Sequence, residues 1–237
     1  MSIRDLARML LDEPRWVETR FMLLQGEATV TGLTGDRRRF VAESTRWPLV
    51  ALVGRPDRAF VEAAAARAGE DTEILVAEED GDWAEAALAG WERVGATIHA
   101  WPGGVPLPAA PPESEARLLD IGELGTLAHV PDDLRADMAT AAAYAPVAAA
   151  FTDGAAASFC YATAVTETLW DISIDTLDGF RERGLATSAV RCLSAALARR
   201  HKWPVWGAAD DNAASLAAAR SMGFEPAGRL AVFRRPL

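Results

Sequence analysis

The sequence is poor in the residues and motifs that build metal centres, disulfide frameworks and several common active sites. Two of its 237 residues are cysteines, and neither Cys160 nor Cys192 has a Cys-x-x-Cys partner. We therefore predict buried free thiols rather than a zinc or disulfide site. The three histidines, His99, His129 and His201, lack the spacing of metal ligands, so no metal is expected. No nucleophile elbow and no glycine-rich loop with lysine is present, which disfavours hydrolase and nucleotide-triphosphatase functions.

Long apolar runs and an excess of positive charge are also missing. No apolar run approaches about 20 residues, and the N-terminal segment lacks the apolar centre of a signal peptide. The net charge of −10 argues against a general nucleic-acid or anionic-membrane surface. It is weakly compatible with a cationic, amine-bearing substrate. We expect a cytoplasmic protein that binds neither nucleic acid nor membrane.

A stretch rich in proline and glycine, residues 102–112, divides the chain into halves of similar size. Such a composition favours an extended linker. We predict an N-terminal α/β domain over residues 1–110 and a second domain over residues 111–237. Both halves share the order hairpin, strand, helix, strand, helix, strand, so the first half is a candidate for a degenerate copy of the second.

Hydrophobic patterning predicts the elements of the first half. They are a hairpin of 22–33 with 38–43 around a turn at 34–36, strands at 48–54, 73–77 and 96–101, and helices at 56–68 and 83–94. The alternation of strands and helices predicts a mostly parallel sheet with covering helices. The connection between the strand at 48–54 and the next helix contains Asp57, which would repel a phosphate.

Hydrophobic patterning of the second half predicts a similar series of elements. Strands are expected at 116–121, 147–152, 156–165, 205–208 and 230–235, with a tight turn at Asp153-Gly154, and helices at 131–144 and 213–222. Between them lies the most informative stretch of the chain, a strand at about 169–176 that leads through a polar turn into a helix reaching about residue 200.

This strand, loop and helix predict an anion-binding site. Asp171, Ser173 and Asp175 alternate with apolar residues along the strand, so they share one face. The helix opens with Arg181-x-x-Gly184-x-Ala186. The first N–H groups of a helix have no partners within it, and its dipole adds positive charge there. Because glycine and alanine have little or no side chain, a phosphate could approach the backbone closely.

Residues 116–235 resemble a GCN5-related N-acetyltransferase (GNAT) domain. The signature Phe180-Arg181-Glu182-Arg183-Gly184-Leu185-Ala186-Thr187 fits the family pattern Arg/Gln-x-x-Gly-x-Gly/Ala. A second match is Asp211-Asn212-Ala213-Ala214-Ser215-Leu216, followed by Ser221-Met222-Gly223-Phe224. The segment looks most like a subgroup that includes a zwittermicin-resistance acetyltransferase and has a divergent N-terminal domain. The resemblance implies a mixed, splayed central sheet flanked by helices.

The same resemblance implies acetyl-CoA as co-substrate. The backbone N–H groups of 183–187 would hold the pyrophosphate, and the pantetheine arm would pair with the strand at 174–177. The implied coenzyme-binding residues are Ile174, Asp175, Thr176, Leu177, Arg181, Glu182, Arg183, Gly184, Leu185, Ala186, Thr187, Asn212 and Ser215. Asn212 is equally well interpreted as a plain helix cap, with Ser215 in the first turn.

Acetyl transfer to an amine needs a base and a route for protonating the thiolate. By the resemblance, Asp171 is the first candidate for the base and Glu167, acting through a water, the second. The alternative is that these acids only face solvent. The family often places a tyrosine near the thiolate, where this chain has Ala219, so the usual acid is missing.

The sequence thus predicts an acetyl-CoA-dependent N-acetyltransferase that acts directly on a primary amine, with a small molecule as the favoured acceptor. A protein amine as acceptor and a non-catalytic coenzyme A-binding module are the alternatives. A homodimer is compatible with the sequence.

Overall fold

The structure is a computed structural model that describes residues 2–35, 38–103 and 115–236 of a mixed α/β chain. The strands are β1 Ala28–Thr31, β2 Phe40–Ser44, β3 Leu49–Val53, β4 Glu73–Ala77, β5 Glu92–Ala100, β6 Glu115–Leu119, β7 Val147–Thr152, β8 Ala155–Val165, β9 Leu169–Thr176, β10 Trp203–Ala209 and β11 Glu225–Arg234. The helices are α1 Ile3–Ala7, α2 Val17–Gln25, α3 Arg58–Arg67, α4 Gly81–Ala87, α5 Ile121–Leu124, α6 Asp132–Ala141, α7 Leu185–Ala198 and α8 Ala213–Ser221, with 3-10 turns at Pro14–Trp16 and Glu78–Asp80.

The chain divides into two compact units. The first contains Met1–His99, Gly207–Ala218 and Pro226–Leu237, and the second contains Ala100–Trp206 and Ala219–Glu225. The end of β10, much of α8 and nearly all of β11 therefore pack with the first unit. Most of the predicted linker at 102–112, including the predicted domain boundary, lies outside the described residues, as does part of the predicted turn at 34–36.

The first unit has a mixed sheet with strand order β1-β2-β3-β4-β11-β5. Strands β3 and β4 are parallel, whereas β1/β2, β2/β3 and β4/β11 are antiparallel. The expectation of a mostly parallel sheet is therefore wrong, because the predicted hairpin and the late strand β11 both join the same sheet. Apolar side chains on one face of this sheet pack with α3 and α4, and those on the other face pack with α1 and α2.

Two element boundaries in the first unit differ from the sequence prediction. Residues 22–25, predicted as strand, belong to helix α2, where Met22 and Leu23 are buried, and α2 ends at Gly26 in the left-handed conformation, with φ +74°. The predicted helix at 83–94 ends at Ala87, and strand β5 begins at Glu92. In both places a continuous apolar run could not distinguish helix from strand.

The second unit has strand order β10-β9-β8-β7-β6, parallel between β10 and β9 and antiparallel elsewhere. Helix α7 packs on β7 and β8. Helix α6 contributes Met138 to a core cluster that also contains Phe159 and Tyr161 of β8. The tight turn at Asp153-Gly154 is confirmed, with both residues at positive φ. The predicted strand at 116–121 stops at Leu119, because Asp120 caps the short helix α5.

Candidate functional site

Strand β9 has one apolar face and one polar face, as its alternating sequence predicts. Trp170 and Ile172 are buried. Asp171, Ser173 and Asp175 are half-buried and share the other face. The pattern positions three polar side chains in a row along the strand that leads into the loop before α7.

The pairing of β9 with β10 is short. Within the described residues, the register runs from Leu169 opposite Trp203 to Asp171 opposite Val205. Strand β9 continues to Thr176, so its last five residues have no register partner in β10. The sheet therefore opens between these two strands just after Asp171, which leaves a free stretch of strand edge.

Side-chain hydrogen bonds join β9 to its other neighbour, β8. The hydroxyl of Thr163 donates to Asp171 Oδ2 at 2.7 Å, and the hydroxyl of Tyr161 donates to Asp175 Oδ2 at 2.9 Å. The hydroxyls of Ser158 and Thr176 are 2.8 Å apart. The register between β8 and β9 shifts at Ala162–Ala164, so Thr163 is an extra residue in a β-bulge.

The polar face carries perturbed titratable groups. Burial, followed by the charge of Asp175, raises the pKa of Tyr161 well above its ordinary value, although a hydrogen bond with Ser173 opposes the rise. Burial and the like charges of Asp175 and Asp133 raise the pKa of Asp137 on α6. The phenol thus keeps its proton at neutral pH, and carboxylates from β9 and α6 repel each other.

The loop between β9 and α7 has three residues in the left-handed conformation. They are Gly179 at φ +82°, Glu182 at φ +62° and Gly184 at φ +73°. Glu182 is a non-glycine residue in this region, an uncommon and strained state that recurs at ligand sites. Arg181 pairs with Asp178 at 3.2 Å, with both side chains largely exposed.

Helix α7 begins with a residue that cannot cap it by a side chain. Gly184 is the N-cap, so the first-turn N–H groups of Leu185, Ala186 and Thr187 receive no side-chain acceptor from that position. The first amide bonded within the helix is that of Ser188, which donates to the Gly184 carbonyl at 3.2 Å. This arrangement is suited to an anion at the helix start.

Arg183 flanks the helix start. Its guanidinium lies 5.5 Å from the ring centroid of Phe180, and the Arg183 side chain is exposed. Arg181 and Arg183 thus provide two exposed cationic side chains in the loop just before the start of α7.

Asn212 caps helix α8. Its side-chain Oδ1 accepts from the N–H of Ser215 at 3.0 Å, so the cap interpretation is confirmed. This geometry occupies the amide oxygen and leaves a role for the amide nitrogen untested. The predicted contacts of Asn212 and Ser215 with the coenzyme stay predictions.

The remaining predicted residues occupy distinct positions. Glu167 is exposed in the turn before β9, where Lys202 Nζ donates to its backbone carbonyl at 3.1 Å. Ala219 is fully buried. Phe224, from the Gly-Phe match, packs edge-on against Trp101 and Trp206, at centroid distances of 5.2 and 5.4 Å.

Sequence reasoning missed Tyr161 and Asp137 as parts of this polar face. Tyr161 stood far upstream of the signature, and only the β8–β9 register brings it opposite Ser173. The alternation of β8 could have suggested an inward polar group, but the bulge at Thr163 interrupts the period of two.

No helix in the part of the chain that the structure describes is long and apolar enough to cross a membrane. No group of three or more histidine, cysteine, aspartate or glutamate side chains in residues 2–35, 38–103 and 115–236 is placed to hold a metal ion.

Comparison with known proteins agrees with this geometry. Residues 148–233 match the model of the GNAT acetyltransferase family. No curated protein matches the chain significantly.

Solved structures match almost the whole chain in fold. A GCN5-related N-acetyltransferase-like protein from Streptococcus suis is 17% identical with a TM-score of 0.73, covering 99% of this chain and 98% of that chain. A GCN5-related N-acetyltransferase from Kribbella flavida is 16% identical with a TM-score of 0.64, covering 100% and 97%. A tandem GNAT protein from the clavulanic acid biosynthesis pathway is 17% identical with a TM-score of 0.57, covering 97% and 92%. The chain therefore has the GNAT fold.

Proposed function

We propose that the protein is an acetyl-CoA-dependent N-acetyltransferase that transfers acetyl directly to a primary amine of a small molecule. The observation that carries the proposal is the start of α7 within the GNAT domain. There, left-handed Gly184 leaves the first-turn amides without a side-chain acceptor from the N-cap, in the helix that follows a strand whose edge is open.

The start of α7 fits a diphosphate. Oriented N–H groups and the positive end of the helix dipole favour negative charge. Arg181 and Arg183 add exposed cationic groups beside those amides. Because the N-cap is glycine, that position supplies no carboxylate to compete for the same donors.

The open edge of β9 fits the pantetheine arm. Residues 172–176 have no register partner in β10, so their outward backbone groups can pair with the amides of an extended ligand. Asp171 lies about 17 Å from Thr176, at about 3.3 Å per strand residue. A coenzyme bound at the loop would thus extend along β9 toward the point where the strands separate.

The position of Asp171 supports a role as the base at that point. It is half-buried at the last β9–β10 register pair, and Thr163 orients its carboxylate. In the proposed reaction Asp171 takes a proton from the ammonium, and the amine nitrogen attacks the thioester carbonyl carbon. The C–S bond then breaks, the nitrogen releases its second proton to water, and the thiolate takes a proton from water, because Ala219 offers no acid. Glu167 lies in the exposed turn before the strand, so we favour Asp171.

The polar face also favours an amine over a neutral or anionic acceptor. Asp171 and Asp175 lie on β9, and Asp137 lies close enough on α6 for the charge of Asp175 to raise its pKa. A cationic acceptor would relieve this repulsion between carboxylates, whereas an anionic acceptor would add to it.

Thr187→Glu, compared with Thr187→Gln, tests the coenzyme site. A carboxylate in the first turn of a helix suits the dipole, so the variant should fold with an unchanged Tm. It should repel the pyrophosphate, and we expect coenzyme A affinity by calorimetry to fall about 10- to 100-fold in low salt, with a smaller loss in high salt. Thr187→Gln has the same size without the charge and should bind within about threefold of wild type. Equal affinities of the two variants would contradict the phosphate site.

A coenzyme A-binding module without catalysis is the second candidate, favoured by the buried Ala219 in place of an acid. Thiol release from acetyl-CoA with a panel of amines separates the two. Amine-dependent release above hydrolysis supports the enzyme, whereas tight coenzyme binding without such release supports the module.

For the first unit we propose a degenerate GNAT-like half with no coenzyme site of its own. The likeness in fold to a tandem GNAT protein supports this proposal. In this unit the helix that follows β3 is capped by its own carboxylate, since Asp57 accepts from the N–H of Ala59 at 3.0 Å.

A further inference from the structure

The end of β9 depends on a single neighbouring strand. Beyond Asp171 the described register with β10 stops, whereas the register with β8 continues to Thr176 opposite Ser158. The segment that leads into the loop before α7 is therefore held from one side only. Its position relative to the helix start depends on the contacts that β8 supplies.

Two of those contacts are side-chain pairs on opposite faces of the sheet. Tyr161 donates to Asp175 at 2.9 Å on the face of α6, and the hydroxyls of Ser158 and Thr176 meet at 2.8 Å on the face of α7. We call these two pairs the β8–β9 clamp. Directly after it, the N–H of Leu177 donates to the carbonyl of Ala157 at 2.9 Å. The clamp thus fixes the last residues of β9 at the point where the loop begins.

We propose that Tyr161 is a positioning residue for the coenzyme, and that through Asp175 it holds the open edge of β9 and the following loop in the binding conformation. The inference rests on the proposed function, and it assigns a role to a residue outside the GNAT signature. As a positioning residue, Tyr161 itself touches neither coenzyme nor acceptor.

The makeup of the clamp argues for positioning rather than for stability alone. The ring of Tyr161 is 5% exposed and packs in the α6 core, so its hydroxyl has little freedom. Its carboxylate partner lies near the acidic side chain of Asp137 on α6, an arrangement of like charges that costs stability. An apolar pair at these positions would hold the strands together without that cost. The hydrogen bond from Tyr161 to Asp175 additionally fixes the orientation of the Asp175 side chain.

Tyr161 is also poorly suited to replace the missing acid. Burial and the neighbouring carboxylates disfavour its phenolate. A thiolate would therefore have to take a proton from a group that holds it more tightly than the thiol does. The hydroxyl acts as a constant donor to Asp175.

Hydrogen exchange in the free protein tests the clamp without any ligand. In Tyr161→Phe we expect faster exchange at the amide of Leu177 and in residues 178–184, with no change in the turn at Asp153-Gly154. Unchanged exchange in the loop would overturn the proposal. If exchange is faster in Tyr161→Phe but the wild-type protein does not bind coenzyme A, the proposed function is wrong, whereas the role of the clamp in ordering the loop is supported.

Coenzyme A affinity by calorimetry provides the second readout. Tyr161→Phe and Asp175→Ala should each weaken binding about fivefold, the factor for one net hydrogen bond, and the double variant should be no weaker than Asp175→Ala. Asp175→Asn retains an oxygen acceptor for Tyr161 and should bind more tightly than Asp175→Ala. If Asp175→Asn instead matches Asp175→Ala, the charge matters and the positioning role is wrong.

Thr163→Val is the matched control. It removes a hydrogen bond between the same two strands, to Asp171, where β10 still pairs with β9. Its coenzyme A affinity and loop exchange should equal those of wild type. Weakened binding in this control as large as in Tyr161→Phe would indicate a general loosening of the sheet and would contradict the clamp.

Discussion

The two units each contain a strand that leads through a short loop into a helix, β3–α3 in the first and β9–α7 in the second, yet the two connections differ at the helix start. In the first unit, Asp57 supplies a carboxylate to the N–H of Ala59. In the second unit, Gly184 supplies no side chain. One amide at the start of α3 is therefore satisfied by the side chain of its N-cap, whereas the N-cap of α7 offers no side-chain acceptor.

The glycines in the two connections also serve different purposes. Gly54, at φ +61°, would place a Cβ 2.7 Å from the carbonyl oxygen of Arg38, so its need for glycine is internal packing. Arg55 after it pairs with Asp80 at 2.7 Å. In the second unit the arginines flank an uncapped helix start. A left-handed glycine near a helix N-terminus is therefore poor evidence of an anion site unless the neighbouring side chains leave the amides available.

The strands that precede these two helices, β3 and β9, also differ in polarity. The five residues of β3 are all apolar and four are fully buried, whereas β9 alternates apolar and polar residues. A strand buried on both faces can only support the sheet. A strand with one polar face can present a base and a row of hydrogen-bonding groups to substrates.

The largest expected effect comes from placing a charged side chain at the start of helix α7. Gly184→Glu introduces a side chain at φ +73° and a carboxylate at the anion site. We expect no measurable coenzyme A binding by calorimetry at concentrations that saturate wild type. Gly184→Asn tolerates the left-handed conformation without a charge and should bind within about tenfold. Binding by Gly184→Glu equal to that of Gly184→Asn would remove the contrast between the two helix starts.

Asp171 is a polar residue of β9, whereas β3 has none. We expect Asp171→Asn to lower the rate about 100-fold. The amide cannot take the proton of the ammonium, so kcat/KM for the amine should fall while coenzyme A affinity stays within about twofold. The pH–rate profile should lose its acidic limb. A profile that keeps this limb would exclude Asp171 as the base.

The smallest effect is expected for Asp57→Ala in the first unit. Loss of the cap should lower the free energy of unfolding by about 1 kcal/mol, measured by denaturant titration, without altering coenzyme A affinity. Asp57→Asn keeps a side-chain acceptor and should recover most of the stability. A change in coenzyme affinity for Asp57→Ala would mean that the first unit takes part in coenzyme binding.

Local patterns in the sequence predicted the parts of the fold that depend on nearby residues. Strand β4 lies at the predicted residues, and the β9–α7 connection follows from alternation and the Arg-x-x-Gly signature. The helical residues 22–25 were missed because an apolar run of that length suits either element, and only packing against neighbours decides.

The site was less predictable where it depends on contacts distant in sequence. The pair Tyr161–Asp175 requires the register of two strands across a bulge, and the early end of the β9–β10 pairing requires the departure of β10. Neither leaves a periodic signal in the sequence. The role of Asn212 as a cap, in contrast, depends on residues three apart and was one of the two interpretations expected.

The short register between β9 and β10 has a consequence for the protein in the cell. An unpaired strand edge is a template on which another polypeptide can add a strand, so it is an aggregation hazard as well as the proposed coenzyme site. A coenzyme bound along this edge would cover it and would also stabilise the folded chain, by about 2.7 kcal/mol at a hundred times its Kd. On the proposed function, the supply of coenzyme A would set the solubility and lifetime of the protein as well as its rate of turnover.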